Sequence, residues 1–222
     1  MSIHRFSVVF VAIAFLAGCA NKAKNTEPDD MSVEEHQAAA DEHEERAERH
    51  EEQYDPDAES QRQVATAATR PNAGGSTYRL ETYNPTSRHE ELAERHQEHV
   101  EQHEAAAQAL LDYEEKHCAR FPKKTRATCP LMGQVAGATE VKNGVRMSFH
   151  EDVNFEATSD HVQCHYAFAR TEGYEGMETC PLYVNGIEVA ENADARTITI
   201  TAESKEAVEK IRERASAHVT AN

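Results

Sequence analysis

Apolar and polar residues follow three different patterns along this chain, and each predicts a different kind of structure. Phe6 to Ala17 is an apolar run, interrupted only by Ser7, that closes with Leu16-Ala17-Gly18-Cys19. From residue 31 the pattern is a heptad. His36, His43 and His50 repeat every seven residues, as do His89, His96 and His103, with His99 between the last two. The string H-E-E-x-A-E-R-H occurs twice, at 43–50 and 89–96. With these histidines at position d, position a holds Ala40, Ala47 and Tyr54 in the first segment and Ala93, Val100 and Ala107 in the second. Spacing that alternates four and three is that of a coiled-coil seam, so the histidines stand where leucine usually does. Leu110 takes over position d at the end.

Two helices are therefore predicted. The first is capped by Asp30 or Ser32, since either offers a side-chain oxygen to the free amides of the first turn, and runs to about Tyr54 before Asp55-Pro56. The second starts from Thr86 or Ser87, runs from Arg88 to about Cys118 and is ended by Pro122. Residues 57–86 contain Pro71, Gly74, Gly75 and Tyr83-Asn84-Pro85 and read as a mostly irregular linker, long enough to return the second helix antiparallel to the first.

Beyond residue 119 alternation with a period of two replaces the heptad. Gln134–Val141 and Val145–His150 flank Lys142-Asn143-Gly144, where Asn-Gly supplies the positive φ angles of a tight hairpin turn. Thr158 or Ser159 opens a helix to about Thr171. Tyr183–Ala190 and Arg196–Thr201 make a second hairpin, and Ser204 caps a final amphipathic helix with Ala207, Val208, Ile211 and Ala215 on its inner side. The expected class is α+β, a His/Ala heptad helical pair followed by a ββαββα domain. Cys129-Pro130-Leu131 and Cys180-Pro181-Leu182 each precede a hairpin, and counting from each cysteine sets Met147 equivalent to Ile198 and Phe149 to Ile200. In strand order such a domain is a circularly permuted ferredoxin-like fold, an analogy that carries no function.

The apolar run at the start is short for a membrane span and has the flanks of an export signal. Its L-A-G-C end resembles the lipobox of bacterial lipoproteins. The resemblance implies cleavage before Cys19, acylation of Cys19 and, from Ala20 after it, sorting to the outer membrane of the cell envelope; several acyl chains make a lasting anchor. On this reading residues 1–18 are the signal, 19–30 a polar tether, 31–118 the acidic helical pair and 119–222 a small disulfide-bonded domain. Cys164-His165 followed by Cys180-Pro181-Leu182, with His-rich helices upstream, also resembles a group of uncharacterised secreted and lipid-anchored proteins of delta-proteobacterial type. That resemblance covers most of the chain and brings no activity with it.

Charge excludes one class of partner. The formal net charge is −17, and both His-rich segments are acidic on their remaining positions. Nucleic acid, whose binding needs a basic stripe, is excluded, which leaves the membrane, through Cys19, and a protein partner or self-association through the helices. Protonating all 13 histidines would take the formal charge from −17 to −4.

In an oxidising compartment Cys118, Cys129, Cys164 and Cys180 read as disulfides. Local pairing, Cys118 with Cys129 and Cys164 with Cys180, closes the shortest loops. Zinc-hydrolase, phosphate-loop and serine-nucleophile motifs are absent, because the fourth residue after His43, His50 or His89 is never histidine and no G-x-S-x-G occurs. The expectation is a non-enzymatic envelope protein with a binding or structural role. Three readings of the seam remain open: half-polar packing, proton sensing, and capture of a transition metal by His36, His43, His50, His89, His96, His99 and His103, whose nitrogens suit zinc, copper or nickel. The competing class is a catalytic or redox C-terminal domain using Cys164 and His165, with His161 on the same helix.

Overall fold

A computed structural model describes residues 24–66 and 77–219. The L-A-G-C motif and Cys19 lie outside the described residues. No helix among the described residues is long and apolar enough to cross a membrane. The structure mixes helix and sheet, the α+β class expected from the sequence.

The N-terminal helices are α1 (Val33–Glu51) and α2 (Ser87–Cys118), packed against each other and running antiparallel. Ser32 caps α1: its Oγ accepts from the Glu35 amide at 3.2 Å, while the Glu35 carboxylate accepts from the Ser32 amide at 2.7 Å. The tether ends in structure, because Pro28–Asp30 form a 3-10 turn and Asp29 pairs with Arg170 at 2.5 Å. The expected irregular linker is only partly so. β1 (Ser60–Thr66) and β2 (Thr77–Tyr83) form a two-stranded antiparallel ribbon, with Arg62 paired to Glu81 and its guanidinium over Tyr83. Tyr78 and Leu80 stay exposed. Since the ribbon buries no apolar face, the alternation that announces a half-buried strand is missing from its sequence.

The C-terminal unit contains the short α3 (Lys123–Arg126), β3 (Val135–Val141), β4 (Gly144–Phe149), α4 (Phe155–Thr171), β5 (Ile187–Asn192), β6 (Thr197–Ala202) and α5 (Lys205–Ala217). Its strands form one antiparallel sheet in the order β3-β4-β6-β5. Val145, Met147 and Phe149 of β4 alternate inward with Ile198, Ile200 and Ala202 of β6, and share one apolar cluster with Val162 of α4 and Ile211 and Ala215 of α5. Each fully buried large side chain of this set contributes about 1.5–3 kcal/mol. At the sheet's centre Met147 pairs with Ile198, and the same register pairs Arg146 with Thr199 and Ser148 with Thr197. Cys129 and Cys180 are 51 residues apart, as are Met147 and Ile198, so a local twofold axis passes through this central pair.

Several boundaries move. α4 starts at Phe155, earlier than the Thr158 or Ser159 expected, because Asn154 caps it through a 3.2 Å bond from the Ala157 amide. The first hairpin turns on Lys142-Asn143, and only Asn143 has a positive φ, 63°. Gly144 belongs to β4. A Cβ there would lie 1.9 Å from the Ile200 carbonyl oxygen, so its glycine serves the close approach of β6, not the turn.

The disulfide pairing differs from the expectation. Cys118 is bonded to Cys164, and neither Cys118–Cys129 nor Cys164–Cys180 forms. The local-loop argument overlooked that the end of α2 crosses the middle of α4, which brings these Cα atoms to 4.7 Å. Around the bond Tyr113, Phe121 and Ala167 pack together, Arg126 pairs with Glu114 at 2.6 Å, and Arg170 sits 4.5 Å above the Tyr113 ring. The last turns of α2 are therefore built into the C-terminal unit.

Candidate metal centre

The register of α1 against α2 is fixed at both ends. Near the ribbon, the Asp55 amide donates to Thr86 Oγ1 at 3.0 Å, and Thr86 Oγ1 and Asn84 Nδ2 donate to the Asp55 carbonyl at 3.1 and 2.7 Å. At the other end Asp29 pairs with Arg170 of α4, Ser32 lies against Gly173 and Cys118 is bonded to Cys164, which ties the pair to the C-terminal unit. Between these clasps Ala40, Ala47, Ala93 and Ala107 are buried, and alanine leaves the room that imidazole fills.

Histidines then meet histidines across the seam. Nδ1 of His36 faces Nδ1 of His103 at 3.1 Å, His43 faces His96 at 2.9 Å, and His50 faces His89 at 3.1 Å. Layers also touch, since His43 stacks on His103 and His50 on His96, each with centroids 5.7 Å apart. His99 meets His43 edge-on at 4.8 Å. The six heptad histidines and His99 thus form one ladder. Its centre is His43, His96 and His99, whose ligand nitrogens lie within 4.8 Å of one another.

Without a metal, each facing pair needs one Nδ1–H and one bare Nδ1, so at most one ring of a pair can be doubly protonated. Burial is the first cause working against even that charge at His43, His96 and His103, whose pKa it lowers. Neighbouring charges add to it, chiefly His99 and His96 on His43, His50 and Arg46 on His96, and His36 and His43 on His103. Only Glu42 opposes, at His43. The glutamates that flank the seam histidines on both helices are exposed, and Glu42 and Glu45 bridge to Arg46 and Arg49 one turn on. His36 is fully buried, and its Nε2 has no hydrogen-bond partner among the described residues.

The other sequence candidates fall elsewhere. Cys164, the nucleophile of the catalytic reading, is bonded to Cys118 and has no thiol to offer. His161 Nε2 donates to the Thr125 carbonyl oxygen at 2.8 Å, and its ring stacks on Phe121. His165 is buried, but against Cys180 and not Cys164. Cys129 and Cys180 approach to 3.0 Å. The hydrogen bond from the Cys180 thiol pushes the Cys129 thiol down to about 4 against the effect of burial, and burial pushes Cys180 up. The sequence reading did not bring these two together and did not single out His218, which lies 3.5 Å from Cys129. The signal for the pair was the repeated Cys-Pro-Leu.

Compared with known proteins, the chain shows no significant match to a family model, a curated protein or a solved structure.

Proposed function

We propose that this chain is a non-enzymatic lipoprotein of the cell envelope, anchored through Cys19, whose paired helices capture a transition-metal ion on the histidine seam. The observation that carries the reading is the group His43, His96 and His99, in which three imidazole nitrogens converge between two helices. Zinc takes imidazole nitrogen at about 2.0–2.1 Å, which puts two nitrogens on a tetrahedral ion about 3.4 Å apart. The facing pairs, at 2.9 to 3.1 Å, need little adjustment to reach that spacing. Three ligands leave an open position for water or for exchange with a partner. His36 with His103 and His50 with His89 supply flanking two-nitrogen sites, over which an ion can be passed along the ladder. The acidic outer faces of both helices raise the local concentration of cations.

A second reading, proton sensing, is favoured by the downward shift of His43, His96 and His103. The two share one chemistry, since metal and proton compete for the same lone pairs. The sheet order β3-β4-β6-β5 suits the permuted ferredoxin-like description of the C-terminal unit, which in this proposal acts as a scaffold that holds α2.

Titration of the tag-free mature protein with cobalt(II) tests the capture. The expected result is a weak d–d component with no thiolate absorption tied to it, removed by the combined substitutions His96→Gln, His99→Gln and His103→Gln with the circular dichroism unchanged. Glutamine keeps bulk and hydrogen bonding but lacks the ring nitrogen. A thiolate-free cobalt signal that persists in that variant returns the histidines to packing.

A further inference from the structure

Outside the seam the C-terminal unit buries four soft or borderline donors together. Cys129 and Cys180 are both buried, with sulfurs 3.0 Å apart, and neither belongs to the disulfide. His165 Nε2, from α4, lies 3.4 Å from the Cys180 sulfur, and His218 Nε2, at the end of α5, lies 3.5 Å from the Cys129 sulfur. His165 and His218 are themselves buried.

The two histidines are held alike. His165 Nδ1 is 2.7 Å from the Arg126 carbonyl oxygen and His218 Nδ1 is 2.8 Å from the Arg214 carbonyl oxygen. A carbonyl can only accept, so both Nδ1 atoms carry a proton and Nε2, which faces sulfur, is the nitrogen each ring has left to offer a metal. This is the outer-shell arrangement of metal-bound imidazole, in which a backbone carbonyl fixes ring direction.

We propose that Cys129, His165, Cys180 and His218 form a Cys2His2 site for zinc in the C-terminal unit, independent of the histidine seam. Zinc–sulfur bonds of about 2.3 Å and zinc–nitrogen bonds of about 2.0 Å put sulfur and nitrogen about 3.5 Å apart on a tetrahedron. The observed sulfur–nitrogen distances of 3.4 and 3.5 Å match that edge. The sulfurs must part, from 3.0 Å to about 3.8 Å on the same geometry. Cys129, Cys180 and His165 already have their ligand atoms within 4.8 Å of one another; His218 touches Cys129 but is not within that distance of all three, so it has to swing inward to close the set.

Charge balance suits the location. On binding, both sulfurs are taken as thiolates, any remaining thiol proton going to solvent, and two thiolates with one divalent ion leave a neutral centre, which a buried site tolerates. The site also explains the chain's duplication, because the two Cys-Pro-Leu segments and the helices that follow each half contribute one sulfur and one nitrogen apiece. Bound zinc would cross-link both halves and so act structurally, since four protein ligands leave no open position.

The test uses the full mature protein, isolated from the envelope without an affinity tag. One zinc per chain should survive in the seam variant, leave on treatment with a thiol-mercurial and be accompanied by exactly one mapped disulfide, Cys118–Cys164, with Cys129 and Cys180 alkylated after unfolding in chelator. Cobalt(II) in its place should give a thiolate-to-cobalt charge-transfer band. His218→Asn, at the helix end, should weaken zinc binding by at least about tenfold, as even outer-shell losses do, without changing the circular dichroism. A Cys129–Cys180 disulfide in the native protein overturns the proposal. So do free thiols with no zinc and no charge-transfer band, or unchanged affinity in the His218 variant.

Discussion

Acid should open the histidine ladder, and the structure fixes the direction of the effect and bounds its slope. The perturbation is a fall in pH from about 7.5 to 5, across the ordinary histidine value near 6.5. His43, His96 and His103 have lowered values in the folded protein, with burial as the first cause. Above about 6.5 these rings are neutral whether folded or unfolded, and their contribution is fully present. Between 6.5 and the lowered folded values the unfolded chain binds protons that the folded ladder refuses, so stability falls with pH; below the folded values the loss levels off. Each ring adds a slope of at most about 1.4 kcal/mol per pH unit, so three add at most about 4 kcal/mol per unit. Partial exposure of His43 and His96 reduces this through solvent screening. Against a domain stability of about 5–15 kcal/mol a slope of that order is large enough to measure. Imidazole titration by NMR and urea unfolding of the mature protein at several pH values measure it. Folded pKa values at or above 6.5 for these three rings, or a urea midpoint independent of pH across this range, would refute the reasoning.

Gly144→Ala should destabilise the C-terminal unit by more than about 3 kcal/mol, the scale of a backbone clash that cannot relax, because the new methyl meets the Ile200 carbonyl and not a flexible side chain; a chemical denaturation midpoint near that of the parent would show that β4 and β6 can part at little cost. Cys19→Ser should leave an unprocessed precursor and abolish fatty-acid labelling, and a substituted protein that still takes up label would remove the anchor.

The sequence made some features legible and hid others for identifiable reasons. The heptad put the histidines on the inner face because 3.5-residue spacing is a one-dimensional signal, and the Ser32 cap and the Leu110 position follow from the same local logic. Partner choice is not local. Nothing in the spacing says that His36 meets His103 and not a glutamate; that depends on the clasp between Asp55, Asn84 and Thr86 at the far end of the helices. The pKa direction was likewise open, since so many glutamates flank the histidines. Burial and neighbouring imidazoles decide it once those glutamates are seen to be exposed. Disulfide pairing failed for the same reason: chain proximity favoured short loops, whereas the crossing of α2 over α4 selected Cys118 and Cys164.

Both candidate centres arise from one geometric device. When two copies of a segment pack about a local twofold axis, each residue near the axis meets its own counterpart or a close neighbour of it. The repeated H-E-E-x-A-E-R-H makes His43 equivalent to His89 and His50 to His96; packed antiparallel, these become the pairs His43–His96 and His50–His89, which the axis exchanges. In the C-terminal unit the repeated Cys-Pro-Leu brings Cys129 onto Cys180, near a sheet whose central pair is Met147 and Ile198. Like residues facing each other gain nothing from opposite charge and little from a hydrogen bond, worth about 1 kcal/mol net. Imidazole against imidazole and thiol against thiol are, however, the pairings in which one ion can satisfy both partners at once. Two unrelated repeats in one chain, each ending with metal-binding atoms of the same kind face to face, are therefore more economically explained by shared ligation than by packing in each case separately.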